Sequence, residues 1–401
     1  MTALLVVAKS LRQHLVSTGV SVLAVALAGG LLMAVWVLKE EASRTFSSVS
    51  GGFDAVLGPR SSKLQLVLNS LFHLDESPGN ITSADVAAIQ ANPSVAVGVP
   101  IAVGDNYKGF RLVGTTPDLF ERVEYAPGKN MTVLAPGRLF DGEGHEAVLG
   151  SFAAAQLGLR PGAQFHPYHG LLYNEEQEHS ESYVVTGVLA PTNTPADRVI
   201  WISLAGLQRM SGHSERTASE VSAVLVKLKD PASGFQLDML YNKRGNRLTF
   251  AWPIGATVAK LFERFSWVEQ VLGFICYLIV VIGTASILTS IYNSMNERRR
   301  EIAILRALGA RRLTVSGAVV LEAATIAALG MLLSFAVFSA IAFVAAQAVR
   351  AQTGVVLDAL RLHWIMLAAP FGVIAIAALL GIVPAIKAYR TDVADGLAPV
   401  S

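Results

Sequence analysis

Residues Asn296 to Arg312 read "NERRREIAILRALGARR", with six arginines and two glutamates. The run before them, "CYLIVVIGTASILTSIY" (Cys276–Tyr292), is almost free of charge. So is the run after them, "LTVSGAVVLEAATIAALGMLLSFAVFSAIAFVAA" (Leu313–Ala346), which carries one glutamate, Glu322. A short basic, helix-like piece between two lipid-compatible runs reads as a turn at a membrane surface, and the reading of the whole chain follows from it.

Working outward, four apolar runs stand out: Leu15–Leu38, Trp267–Tyr292, Thr314–Val349 and Leu362–Ile386. Each reaches the roughly 20 residues that an α-helix needs to cross about 30 Å of hydrocarbon. Composition agrees. The 401 residues are 52% hydrophobic and only 15% charged, against about a quarter charged in soluble domains. Mean hydropathy is +0.48. The first run is too long for a signal peptide and lacks a small-residue cleavage site before Lys39, so it reads as a retained anchor.

Basic residues in short loops orient such spans. Lys9 and Arg12 precede the first run. Arg298, Arg299, Arg300, Arg306, Arg311 and Arg312 separate the second from the third, and Lys387 and Arg390 follow the fourth. With four spans these segments share one side, the cytoplasm, and both termini lie there. The predicted organisation is a cytoplasmic interfacial helix (1–14), transmembrane helix 1 (15–38), an outer domain (39–266), helix 2 (267–292), a cytoplasmic coupling segment (293–313), helix 3 (314–349), a short outer loop (350–361), helix 4 (362–386) and a cytoplasmic tail (387–401). The fold class is membrane α-helical, four spans in a 1+3 order, with a large α+β domain inserted between helices 1 and 2.

The insert mixes strand-like runs, "SVAVGVPIAV" (Ser94–Val103) and "YVVTGVLA" (Tyr183–Ala190), with capped helical pieces such as "TSADVAAIQANP" (Thr82–Pro93). It contains no G-x-S-x-G, H-E-x-x-H or C-x-x-C, and the chain has no phosphate-cradling G-x-x-x-x-G-K-[ST]. Gly29-Gly30, inside an apolar run, reads as a helix-packing position rather than a nucleotide loop. A net charge of +2 gives no footprint for nucleic acid. The one cysteine, Cys276, excludes a disulfide framework within the chain.

Six of the eight histidines fall in the insert, three of them in "FHPYHGLLYNEEQEHSES" (Phe165–Ser182). His166, His169 and His179, with Glu178 beside them, are competent zinc ligands by type. Two readings stand: a metal-capturing loop, or a solvated acidic loop with incidental histidines.

Two motifs resemble a known family, the MacB, FtsX and LolC/LolE permeases of ABC transporters. One is "RRREIAILRALGARRLTVSGAVVLEAATIAALG" (Arg298–Gly330). The other is the tail "GIVPAIKAYRTDVADGLAP" (Gly381–Pro399). The amino-terminal "VAKSLRQHL" (Val7–Leu15) is similar to the family's interfacial helix. One span, a large insert and three spans is also the family's layout. The resemblance implies a bacterial inner-membrane permease that is not itself an enzyme. A separate ATP-binding subunit would hold the ATP, a second permease copy would complete a dimer, and a periplasmic protein would be a further partner. ATP-driven motion would pass to the outer domain as a mechanical stroke that drives export, extraction or handling of a periplasmic or membrane substrate. An FtsX-like regulator, which transports nothing and activates a periplasmic partner, is the alternative.

On this resemblance Glu301, Ile302, Leu305, Arg306, Leu308 and Gly309 form the ATPase-coupling helix. Ile302, Leu305 and Leu308 fall at helical spacing and Gly309 is a suitable stop. Glu322 corresponds to an intramembrane glutamate of the family, expected to bond a neighbouring span or the dimer mate. The segment "LGPRSSKLQLVLNSLFHLD" (Leu57–Asp75) resembles a zinc-linked subgroup, which adds His73 and Asp75 to the candidate ligands.

Overall fold

The computed structural model describes residues 3–142, 144–170, 174, 178–210, 219–297, 303–304, 311–358 and 361–390. They form two compact units. The first comprises Met1–Glu41, Phe265–Ala346 and Asp358–Ser401; the second comprises Ala42–Arg264 and Gln347–Leu357.

A short helix, Ala3–Gln13, precedes four long apolar helices: Leu15–Ser48, Ser266–Glu297, Arg312–Thr353 and Ile365–Arg390. All four are long and apolar enough to cross a membrane. They extend past the apolar runs because good helix formers follow those runs. The first helix continues through Lys39–Ser48 and stops ahead of Gly51 and Gly52, whose φ angles of 60° and 90° favour glycine. The third stops at Gly354, φ 75°. Pro370 and Pro384 lie inside the fourth helix, as membrane helices tolerate.

Within the first unit the helices are apolar on both sides. Met33, Cys276, Ile326, Met331 and Phe338 are buried in its core, whereas Leu332, Phe343, Leu367, Phe371 and Leu379 point outward. Lipid is as apolar as leucine, so close packing rather than hydrophobic drive must hold such helices together. Small residues supply it. A Cβ on Gly30 would sit 2.6 Å from Val337 Cγ1, and one on Gly330 would sit 2.6 Å from Val25 Cβ. Polar side chains add cross-links, including Ser17 Oγ to Ser290 Oγ at 2.7 Å. At one end of the bundle Lys39 pairs with Glu269 at 2.6 Å and lies over the Trp36 ring, which meets Trp364 edge-on. A ring of tryptophan and charge of this kind marks a membrane–water interface.

The second unit is built on a ten-stranded mixed sheet. Its strands are β1 (Ala55–Pro59), β2 (Val95–Tyr107), β3 (Phe110–Thr115), β4 (Glu146–Leu149), β5 (Gln164–Phe165), β6 (Tyr168–His169), β7 (Tyr183–Val188), β8 (Ile200–Ser203), β9 (Ala223–Leu228) and β10 (Leu248–Ala251). The order is β10-β1-β9-β2-β3-β8-β4-β7-β5, with β6 on the far end of β2. Two pairs, β3·β8 and β4·β7, are parallel and the rest antiparallel. Both faces are buried, in the two-residue alternation of a strand. Val56, Val99, Val113, Val148, Trp201 and Leu225 face one core. Leu57, Val224, Val226 and Phe250 face a second, and Leu112, Leu149 and Ile200 a third. Helices Lys63–Ser70 and Ile254–Arg264 cover the first face. Helix Ser83–Gln90 opens on a capping box between Thr82 and Asp85.

Candidate functional site

Glu301, Ile302, Leu305, Arg306, Leu308 and Gly309, the expected coupling residues, lie outside the described residues. Between them Ala303 and Ile304 are helical, with Ala303 buried and Ile304 exposed. Beyond them Arg312 opens the third long helix and its guanidinium sits over the Tyr389 ring at 5.3 Å.

Glu322, one of the apolar helix's few charges, accepts a hydrogen bond from the fully buried Ser10 hydroxyl. An ionisable group at membrane depth has to be satisfied by polar partners. The described bond ties the third helix to the short helix Ala3–Gln13.

The histidines of the insert divide. His73 is buried, edge-on to Trp201. Burial, with the Arg111 charge adding to it, holds its imidazole down at about 3, so it is neutral at physiological pH. Among the described residues, no metal-competent group includes it or Asp75. His166 and Glu178 are exposed and also stand outside that group. His169 and His179 do come together, and their partner is one the sequence did not single out, Asp105.

Backbone pairing brings this about. In the ladder between β6 and β2, His169 lies opposite Asp105, beside a bulge between Val103 and Asp105. Tyr168 forms an isolated bridge with Glu178, and the His179 amide donates to the Pro167 carbonyl at 2.8 Å, which sets His179 on the same spot. Asp105 Oδ1 lies 3.3 Å from His169 Nδ1 and 3.3 Å from His179 Nε2. Asp105 is fully buried and His179 nearly so, while the His169 side chain is 52% exposed. The signal that pointed to Asp105 was present: a carboxylate at the end of the apolar strand run "SVAVGVPIAVGD" is costly unless a cation or hydrogen-bond donors meet it.

A third feature involves the chain after the third long helix. Residues Gln347–Leu357 belong to the outer unit. There Arg198 Nε donates to the Ala351 carbonyl at 2.8 Å, and Arg350 lies over the Phe152 ring. The loop that presents Arg198 is rigid: Asp197 accepts bonds from the amides of Thr192 and Asn193 and from the Thr192 hydroxyl.

Comparison with known proteins gives two family matches. Residues 273–393 match the FtsX-like permease C-terminal region, and residues 18–238, more than half of the chain, match the MacB-like periplasmic core domain. Among solved structures, the extracellular domain of the noncanonic ABC-type transporter YknZ from Gram-positive bacteria aligns at 16% identity. It covers 49% of this chain and 97% of its own, with a TM-score of 0.31. The periplasmic region of MacB from Actinobacillus actinomycetemcomitans aligns at 12% identity, covering 53% and 94%, with a TM-score of 0.36. Both scores are low, and the family assignment rests on the two family matches. A search of curated proteins returned no significant match.

Proposed function

This chain belongs to the FtsX-like permeases that carry a MacB-like periplasmic core domain, and we propose that it is the permease subunit of an ABC-type system that passes a stroke from ATP hydrolysis to its outer domain. One observation carries the reading: a bundle matched as FtsX-like and an insert matched as a MacB-like core share one polypeptide. In this reading hydrolysis belongs to an ATP-binding subunit that works with the permease. That subunit docks on the basic cytoplasmic face, where the 301–309 segment presses an amphipathic helix into it. A second permease copy completes the unit, and both termini are cytoplasmic.

The path of the stroke has physical support. The helix that begins at Arg312, next to the coupling segment, runs without a break to Thr353. Its last turns sit against the rigid loop at Asp197 and Arg198. A helix transmits an axial or tilting displacement along its whole length, because its hydrogen-bonded turns are stiff relative to a loop. The load is a periplasmic or membrane substrate, exported, extracted or otherwise handled by the outer domain.

Orientation provides the test. Ser180 is exposed on the outer unit, and the sole native cysteine, Cys276, is buried in the bundle. A Ser180→Cys variant in intact cells with a permeable outer membrane is expected to react with a membrane-impermeant maleimide. Protection until the inner membrane is broken would reverse the topology and, with it, the docking face.

A further inference from the structure

We propose that Asp105, His169 and His179 form a binding site for one divalent transition-metal ion of the zinc type on the outer domain. This stands apart from the permease reading, since it concerns a site within the outer unit and needs neither ATP nor a partner.

Geometry makes the case. With metal–ligand distances of about 2.05 Å, the ligand atoms of a tetrahedral site lie about 3.3 Å apart. Asp105 Oδ1 stands 3.3 Å from a nitrogen of each imidazole. All three ligand atoms lie within 4.8 Å of one another, with the ring centroids 5.5 Å apart. The His179 Nε2–Asp105 Oδ1 contact is a hydrogen bond as it stands, and the same spacing admits an ion in place of the shared proton.

The scaffold holds the donors before any ion arrives. Asp105 is fixed in the central strand β2. His169 is fixed opposite it in β6, and the turn after it is held by the Asn106 side-chain amide, which donates to the Gly170 carbonyl at 2.9 Å. His179 is fixed by its own amide bond to Pro167. Little ordering is left for binding to cost.

The donor set chooses the ion. Two imidazoles and one carboxylate suit zinc, copper(II) or nickel, and they are a poor cage for calcium or magnesium, which want oxygen alone. Among the described residues the site offers three protein ligands, the number that zinc sites with a further, non-protein ligand in the fourth position use.

The test uses the purified full chain in detergent. Zn2+ is titrated against a chromophoric chelator, with Mg2+ as a control, and Co2+ absorption is recorded in parallel. Wild type is expected to take one Zn2+ per chain, to ignore Mg2+, and to give the intense visible Co2+ bands of a four-coordinate site. His169→Ala removes an exposed side chain, so folding should survive. Its loss should weaken binding by at least the about 10–100-fold that losing even an outer-shell partner costs and should bleach the Co2+ bands. His179→Gln should do the same. His166→Ala, exposed and outside the group, should bind as wild type does. The proposal is overturned if wild type takes up no Zn2+, if His169→Ala titrates like wild type, or if His166→Ala loses as much as His169→Ala.

Discussion

Replacing residues 301–308 with a Gly-Ser segment of equal length is expected to abolish permease-stimulated ATP hydrolysis in the reconstituted complex. The segment offers Ile302, Leu305 and Leu308 at helical spacing, one apolar face about ten residues long. Burying each such side chain in a partner's groove contributes about 1.5–3 kcal/mol, and every 1.4 kcal/mol is about tenfold in affinity. Removing all three therefore takes away far more than a marginal contact. Arg306 and Arg311 add charge that can meet acidic groups of a partner, and the Gly-Ser segment loses the first of these as well. Single substitutions grade the effect. Leu305→Asp should cost most of the stimulation, because it places a charge in the groove. Arg306→Gln should cost less and grow milder still in high salt, as a surface ion pair does. Unaltered stimulation by the Gly-Ser variant would remove this segment from the coupling path.

A second large effect is expected inside the bundle. Gly30→Leu should lower the temperature at which the bundle opens. A Cβ there meets Val337 Cγ1 at 2.6 Å, Val337 Cβ at 2.7 Å and the Ser334 carbonyl oxygen at 3.0 Å. One of these is backbone, so no rotamer change relieves the clash and the two helices must separate. Overpacking of this kind costs about 1–3 kcal/mol, and lipid offers no hydrophobic gain in exchange. Gly29 makes the contrast. Its tightest neighbours are the Sδ and Cε of Met331, the end of a flexible side chain, so Gly29→Ala should cost less. Gly372 has nothing within 4 Å, and Gly372→Leu is the control. The protein carries its own reporter, since Cys276, the single cysteine, is 1% exposed in the bundle core. A thiol-reactive dye followed during heating should report a midpoint roughly 2–12 °C lower for Gly30→Leu. A midpoint equal to that of Gly372→Leu would contradict the packing described here.

The membrane half was legible because it depends on run length and charge, which a sequence displays directly. Four apolar runs became four helices, and the insert became a separate unit. The helix ends were less legible. Lys39–Ser48 reads as polar, yet it continues the helix because nothing breaks it before Gly51. The outer domain was legible only as a mixture of strands and helices. Which strands are neighbours depends on long-range pairing, and pairing also decided the histidine site. His169 and His179 were visible as candidate ligands, whereas Asp105 is remote in sequence and joins them through the β6–β2 register. His73 was visible as a histidine, but its burial edge-on to Trp201 was not, because composition does not show packing. His166 lies three residues before His169, yet only the latter pairs opposite Asp105.

The central claim is that ATP hydrolysis on one face moves the outer domain on the other. The most direct measurement is a distance, by pulsed electron resonance, between spin labels on Arg160→Cys and Leu313→Cys in the complex with its ATP-binding subunit. Both positions are exposed, and buried Cys276 should stay unlabelled. The distance distribution is expected to shift between the nucleotide-free and ATP-trapped states, and the Gly-Ser replacement of 301–308 should freeze it. A distribution that stays the same in both states, while the complex hydrolyses ATP, would contradict mechanical transmission through this chain.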